Sequence, residues 1–239
     1  MSRIAQAFSA AASQYEGAAL QQKSIGQQAW EATQVEAQAR ILDMGCGPGR
    51  LAQIAPHHSI IGMDIAAGMC RLAHPLQEAT VQADMHALPF ADAQFDLVYS
   101  ALCWQWSNQP EAVAQQIAHI LKPKGQMVLA TYQQGTLQHL RETYLATNRP
   151  SGVLTFRSMA EDTAALEAGG LRVIKNQEET RTMHHDSLGD LLRYLSRIGA
   201  DSRAQPAGLM TPRQWQRLEA MYGEPVSQWQ VGYLWAEKP

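Results

Sequence analysis

Several protein classes drop out before any motif is read. No apolar run approaches the roughly 18 residues that a membrane-spanning helix needs. Cysteine is scarce: Cys46, Cys70 and Cys103 form an odd set with no C-x-x-C pair. Neither a disulfide framework nor a zinc site is therefore expected. Charge is thin as well. Asp, Glu, Lys and Arg make up 17% of the chain and the net charge is −3, so the global basic signature of a nucleic-acid binder is missing. The opening Met1-Ser2-Arg3-Ile4-Ala5-Gln6 lacks an apolar signal core, and a reducing cytoplasm is the expected compartment. What is abundant is apolar residues, 46% of 239. That is enough for one substantial core: one domain, or one domain with an elaboration.

The chain is organised around Arg40-Ile41-Leu42-Asp43-Met44-Gly45-Cys46-Gly47-Pro48-Gly49-Arg50. Ile41 and Leu42 end a short buried strand. Three glycines at alternate positions make a tight loop, and Leu51 to Ile54 begin a helix. Such a strand–loop–helix unit lets a nucleotide-type cofactor lie on bare backbone. The spacing discriminates between cofactors. A dinucleotide fingerprint needs a third glycine where Arg50 stands, and a phosphate-binding P-loop needs a lysine that is missing here. What remains, D-x-G-x-G-x-G, resembles the first motif of class I S-adenosylmethionine-dependent methyltransferases. That cofactor carries an ammonium and a sulfonium and no phosphate, so a carboxylate such as Asp43 suits it.

The second strand, Ser59 to Asp64, puts Asp64 at its carboxyl end, 21 residues after Asp43. An acidic residue about 20 positions on is what a ribose diol requires. Ile65 and Met69 follow where the superfamily resemblance implies an apolar clamp on adenine. Asp84-Met85 resembles the third methyltransferase motif, in which the Asp accepts from the adenine amine and the next N–H faces the ring. Lys23 and Ser100 complete the candidate cofactor set. His86 reads as a solvated loop histidine. Phe95 to Ser100 is a buried strand running into Cys103-Trp104-Gln105-Trp106. Ligands in doubly wound sheets sit beyond the carboxyl ends of strands, so Gln105 and Trp106 are candidates for a pocket wall. Trp104 reads equally as a packed aromatic.

Pro110 opens a helix, and Gln126 to Tyr132 is a fifth strand. Residues 136–147 and 158–168 read as helices, with Leu171 to Asn176 and Val231 to Ala236 as the last two strands. About 50 residues separate these strands, far more than a hairpin needs. Two helical patterns there, Leu188 to Ile198 and Pro212 to Tyr222, read as a substrate cap. Arg193 and Arg197 are four apart and share a face, with Arg203 beyond. Such arginines are either a solvated face or a site for an anionic partner. The N-terminal phrase Phe8-Ser9-x-Ala11-Ala12-x-x-Tyr15-Glu16 ends an amphipathic helix; a second helix runs from Leu20 to about Val35. The phrase resembles the lid of small-molecule methyltransferases, in which the tyrosine folds over the cofactor. A packed surface tyrosine fits the spacing as well.

The expected architecture is α/β: a doubly wound, seven-stranded, mostly parallel sheet of Rossmann-like class I methyltransferase type. One domain spans 1–239, with a helical lid at 1–36, a cofactor-binding core at 37–132 and a C-terminal half at 133–239 capped by helices at about 184–225. Beyond the cofactor motifs, the resemblance covers nearly the whole chain. It includes W-Q-W, Leu121-Lys122-Pro123-Lys124-Gly125, Gln134-Gly135-Thr136-Leu137, Asn148-Arg149-Pro150, Arg197-Ile198-Gly199-Ala200 and Leu209-Met210-Thr211-Pro212. These phrases are similar to the malonyl-acyl-carrier-protein O-methyltransferase family of biotin synthesis.

The resemblance implies methylation of a free malonyl carboxylate by S-adenosylmethionine. A carboxylate is already ionised at neutral pH, so it needs no general base, and neither a metal nor a covalent intermediate is expected. Catalysis would rest on alignment and on shedding water. The candidate catalytic residues are Tyr15, Gln105, Trp106, Arg149 and Arg197. The expected partner is the acidic malonyl-acyl carrier protein, meeting the Arg193/Arg197/Arg203 face. A monomer is expected, with no nucleic-acid or membrane partner. Two rival readings are a methyltransferase for a free small acid such as trans-aconitate, and a protein that binds the cofactor without turnover.

Overall fold

The structure, a computed structural model, describes residues 5, 6, 8, 9, 20–198 and 210–239. The expectations that fall on Tyr15 and Arg203 lie outside these residues. Strand β1 (Arg40–Met44) is buried at every position but its first. It pairs in parallel with β2 (Ser59–Asp64) on one side and β4 (Phe95–Ala101) on the other. Strand β3 (Ala79–Gln82) extends the sheet beyond β2, and β5 (Leu121–Tyr132) extends it beyond β4, both in parallel. The sheet is completed by β6 (Arg172–His184) and β7 (Val226–Glu237). Its order is β3-β2-β1-β4-β5-β7-β6, with β7 antiparallel to both neighbours. This is the expected doubly wound topology. The order reverses between β1 and β4, where a parallel sheet opens a crevice at its carboxyl edge.

Alternation along the strands supplies two cores. Ile41, Leu97, Tyr99, Val128 and Ala130 face one side, and Leu42, Met44, Val98, Met127 and Leu129 the other. The first face is covered by helix α1 (Leu20–Glu31), by α5 (Gln138–Ala146) and by the cap helices α7 (Leu188–Arg197) and α8 (Pro212–Tyr222). The second is covered by α4 (Pro110–Ile120) and α6 (Met159–Ala168). Between these lie the short α2 (Arg50–Ile54) and α3 (Ala67–Ala73). Helix α1 lies close to the sheet at Gly26, whose carbonyl accepts from the Tyr99 hydroxyl at 2.7 Å. A Cβ on Gly26 would stand 2.9 Å from that hydroxyl oxygen.

The structure corrects the last two strands. Strand β6 runs eight residues past Asn176, and β7 begins five residues before Val231, so residues 185–225 separate the two strands. The added stretch of β6 alternates correctly, with Glu179, Arg181 and Met183 less exposed than their neighbours. Two of those three residues are charged, which hides the pattern. Their charge is answered locally. Arg181 Nε donates to Glu179 at 2.5 Å, the Tyr233 hydroxyl donates to Glu179 at 2.7 Å, and Arg181 also reaches Gln28 of α1 at 2.7 Å.

Candidate active site

The loop after β1 is shaped by glycine. Gly45 has φ 78°, and a Cβ there would lie 2.4 Å from Cys103 Cβ. Only glycine combines that backbone with that neighbour. Gly47 also has positive φ, 52°, but a Cβ on it would meet nothing within 4 Å. The first glycine is required by packing, the second by conformation beside open space.

Two acids stand behind the loop. Asp64 caps it: its Oδ2 accepts from the Gly47 N–H at 3.0 Å and its Oδ1 from the Ala66 N–H at 2.8 Å. Burial pushes the Asp64 pKa up, opposed by these backbone donors. Asp43 is 3% exposed. Burial, with the nearby Asp64 charge, pushes its pKa up to about 8. Its one described side-chain partner is Gln77 Nε2, at 3.4 Å. Gln77 passes over Gly62, where a Cβ would lie 1.8 Å from the glutamine oxygen.

A cavity of about 510 Å³ opens beside the loop, within the ~300–1,000 Å³ range of ligand pockets. Gly45, Gly47, Asp64, Ile65, Met69, Asp84 and Met85 all line it. Lys23 and Asp43 sit in an adjoining recess of about 70 Å³ that shares both glycines. The main cavity carries three features that fit S-adenosylmethionine. Asp64 offers a carboxylate to a ribose diol. Ile65, Met69 and Phe8 offer apolar surface to adenine. No lysine or arginine lines the cavity among the described residues, so it suits a cation and not a pyrophosphate.

Beyond β4 the chain turns sharply. Leu102 has φ 58°, a strained conformation for a bulky residue and one that concentrates at functional sites. The turn is held by the Leu102 N–H donating to Ala130 O and by Gln105 Nε2 donating to Leu102 O, both at 2.8 Å. It leads into a 3₁₀ turn over Trp104–Trp106. Trp106 walls the cofactor cavity on one side and a small apolar slot of about 50 Å³ on the other. Gln105, Tyr132, Phe156, Leu192, Leu195 and Trp229 line the slot, with residues 151–154 as its rim.

The expected site residues divide into three groups. Most of the cofactor set converges on one cavity and its recess. Ser100 is fully buried and lies off the cavity wall. Side chains alternate along β4, so Ser100 points away from the face that Tyr99 and Ala101 present. Gln105 and Trp106 meet at the slot, whereas Trp104 is fully buried in the core on the other face of the sheet. Arg149 and Arg197 do not line the slot. Arg149 donates to Gln214 of α8 at 3.1 Å, and Arg197 is exposed on α7. Arg193 is ion-paired with Asp190 one turn back.

His86 corrects its sequence reading. It lines the cavity, with Nδ1 2.7 Å from Asp84 Oδ1 and Nε2 3.2 Å from Ser107 Oγ. Phe8 and the 151–156 segment escaped the sequence reading as site residues. Phe8 closes over the cavity and packs edge-to-face on Trp106, with ring centroids 5.6 Å apart. Ser9 accepts from the Gly68 N–H at 3.3 Å and ties the same N-terminal stretch to α3. The signal was present in the phrase Phe8-Ser9-x-Ala11-Ala12, whose apolar periodicity also fits a simple surface helix.

The glycine loop, the paired acids and the crevice at the topological switch define a class I methyltransferase. A family profile described as a methyltransferase domain matches residues 42–129. The fold is shared with a methyltransferase candidate from Bacillus halodurans (TM-score 0.66, 16% identity, 89% of this chain and 97% of that one). It is also shared with the geranyl diphosphate C-methyltransferase of Streptomyces coelicolor, solved with S-adenosyl-L-homocysteine (TM-score 0.56, 13% identity, 89% of this chain and 78% of that one). Among curated sequences, the malonyl-[acyl-carrier protein] O-methyltransferase of Herminiimonas arsenicoxydans is 30% identical over 226 residues. The match covers 92% of this chain and 86% of that protein. The chain belongs to the malonyl-[acyl-carrier protein] O-methyltransferase family.

Proposed function

We propose that the protein methylates the free carboxylate of malonyl-acyl carrier protein, with S-adenosylmethionine as methyl donor, in biotin synthesis. The observation that carries this reading is the shared wall at Trp106. An acid-lined cavity and an apolar slot meet there, so a small acyl end and a cationic cofactor can lie side by side.

When bound, the cofactor supplies an electrophilic methyl group on a sulfonium. Asp64 would hold its ribose, Asp43 and Lys23 would lie toward its methionine end, and Ile65, Met69, Asp84 and Met85 would hold its adenine. Gln105 is a polar side chain on the slot wall. Its Nε2 donates to Leu102 O and its Oε1 accepts from Thr131 Oγ1 at 3.1 Å, which fixes the amide. A fixed amide orients an acceptor without the rearrangement cost of a mobile one. The slot's apolar walls strip water from a carboxylate and sharpen it as a nucleophile.

Tyr15 is proposed to orient the acceptor, and Arg149 and Arg197 to meet the carboxylate or the carrier's phosphate. Arg149 is the better placed for the acyl group, because residues 151 and 152 already belong to the slot rim. Carrier docking is assigned to the Arg193, Arg197 and Arg203 face. No helix among the described residues is long and apolar enough to cross a membrane. We take the protein to act as a cytoplasmic monomer.

The test is methyl transfer from labelled S-adenosylmethionine to malonyl-acyl carrier protein, with free malonate and trans-aconitate in parallel. Label on the carrier-bound group alone is the expected result. Label on a free acid would keep the chemistry and replace the substrate. Cofactor binding with no transfer to any acceptor would leave the non-catalytic reading.

A further inference from the structure

A buried polar cluster lies behind the slot, and the chemistry above makes no use of it. The Asp162 side chain, 1% exposed, takes three donors. Trp104 Nε1 and Arg157 Nε reach its Oδ1 at 2.7 and 2.6 Å, and Gln133 Nε2 reaches its Oδ2 at 2.8 Å. The rest of the Arg157 fork turns to backbone. Nη2 donates to Trp104 O at 3.0 Å and Nη1 to Ser107 O at 2.9 Å. The guanidinium carbon lies 5.6 Å from the centre of the Trp104 ring. The Arg157 carbonyl accepts from the Gln134 N–H at 2.8 Å, which joins the end of β5 to the same cluster.

One side chain thus grips both ends of the 104–107 turn, and the two residues between those ends are Gln105 and Trp106. The arrangement is expensive if stability were its purpose. A buried ion pair is commonly replaceable by an apolar pair of similar volume at no loss of stability. What an apolar pair cannot supply is donors at fixed angles to two carbonyls, which the planar fork of arginine provides and lysine does not.

We propose that Arg157, anchored by Asp162, is a positioning residue for the methyl acceptor. It sets the 104–107 turn so that Gln105 and Trp106 stand at the required place between cofactor cavity and slot. The proposal rests on the reading that the slot receives the acceptor. It assigns the cofactor pocket a smaller dependence, because Asp43, Asp64 and the glycine loop are held by other elements.

The test compares the parent with Arg157→Lys and with the paired Arg157→Leu/Asp162→Leu exchange, which removes both charges together. Each is measured for S-adenosylhomocysteine affinity, for kcat and KM with malonyl-acyl carrier protein, and for the fluorine NMR signal of Trp106 in protein labelled with 5-fluorotryptophan. The expected result is a cofactor Kd within about threefold of the parent and a kcat lower by about tenfold or more. A shifted or broadened Trp106 signal should accompany it in both variants. The proposal is overturned if the paired variant keeps its kcat and its Trp106 signal, whatever its melting temperature; a lower melting temperature alone would mean that the cluster only stabilises. If the paired variant does not fold, Arg157→Lys decides by the same readouts. If the parent itself methylates no carrier-bound malonyl group, the functional reading fails separately. The Trp106 signal then decides the positioning claim alone: displaced in Arg157→Lys it stands, unchanged it falls.

Discussion

The cofactor cavity and the acceptor slot share a wall but are built on opposite principles. The cavity is made by short loops at the carboxyl ends of β1 to β4, and Asp64, Asp84 and His86 each stand within a few positions of a strand end. Gly47 and Asp64 meet because β1 and β2 are adjacent parallel strands in register. The slot draws its lining from β5, the 151–156 segment, α7 and β7, with no charged side chain among the described lining residues. Its geometry is imposed from outside, by Arg157 and Asp162 behind the turn. A further arginine acts at the rim: Arg141 bonds to the carbonyls of Val153 and Leu154 and to the Thr155 hydroxyl. The cavity therefore depends on a few irreplaceable atoms, whereas the slot depends on the agreement of distant segments. Single substitutions should break the first sharply and the second by degrees.

The largest effect is expected at Gly45→Ala. The added methyl falls on Cys103 and the backbone is held at positive φ, so the loop must move. Cofactor affinity should drop by about a hundredfold and the melting temperature should fall with it, the strain alone costing ~1–3 kcal/mol. Asp64→Asn is milder. It keeps the volume and removes the charge, and at about 2 kcal/mol for charged hydrogen bonds the S-adenosylhomocysteine Kd should weaken about thirtyfold. Calorimetric titration checks both. Parental affinity in either variant would remove the loop from the cofactor site.

This contrast also explains what could be read from the sequence. Asp43, the glycines, Asp64 and Asp84-Met85 are legible because each strand end places a short motif directly on the cavity or its recess. The sheet was legible for the same reason up to β5. The slot was legible only in its W-Q-W edge. Tyr132, Phe156, Leu192 and Trp229 look like ordinary core residues, and nothing local announces that four separate segments converge. The long β6–β7 ribbon was hidden because Glu179 and Arg181 occupy inward positions, which period-two reading reserves for apolar residues.

The slot should respond differently. Leu192→Trp adds an indole to a space of about 50 Å³. Overpacking costs of ~1–3 kcal/mol point to a fall of about tenfold in kcat/KM for the acyl acceptor. The cofactor Kd should stay within about twofold, since Leu192 is absent from that cavity. Equal losses in both quantities would mean that the two spaces are one.

A smaller effect tests the charge of the adjoining recess. The pKa of Asp43 is raised from its ordinary value of 3.8 to about 8. The folded protein therefore holds a proton that the unfolded chain has released between about pH 4 and 8. The stability tied to this group is full below about pH 4, declines as pH rises, and is lost above about 8. A bound cation favours the ionised carboxylate, so cofactor binding should expel a proton, and affinity should rise several-fold from about pH 6 to 8. Titration in buffers of different ionisation enthalpy detects that proton. Asp43→Asn should flatten the pH dependence of both affinity and melting temperature. A wild-type affinity that is flat over this range would place the cationic end of the cofactor away from Asp43.

The smallest effect belongs to the outer surface, where neither principle applies. Arg193 is already paired with Asp190, so α7 presents less positive charge than its arginines suggest. Arg197 is exposed, and exposed ion pairs contribute ~0–1 kcal/mol. Arg197→Glu should therefore raise KM for malonyl-acyl carrier protein only about threefold at low ionic strength, and leave methylation of any free acid unchanged. The difference should vanish near 0.5 M salt, where screening acts over about 4 Å. Because the slot lies on the buried side of the same helix, through Leu192 and Leu195, kcat is the discriminating quantity. A change in KM alone marks Arg197 as a docking contact. A change in kcat that persists at high salt would mean that charge on the outer face reaches the acceptor through the helix itself.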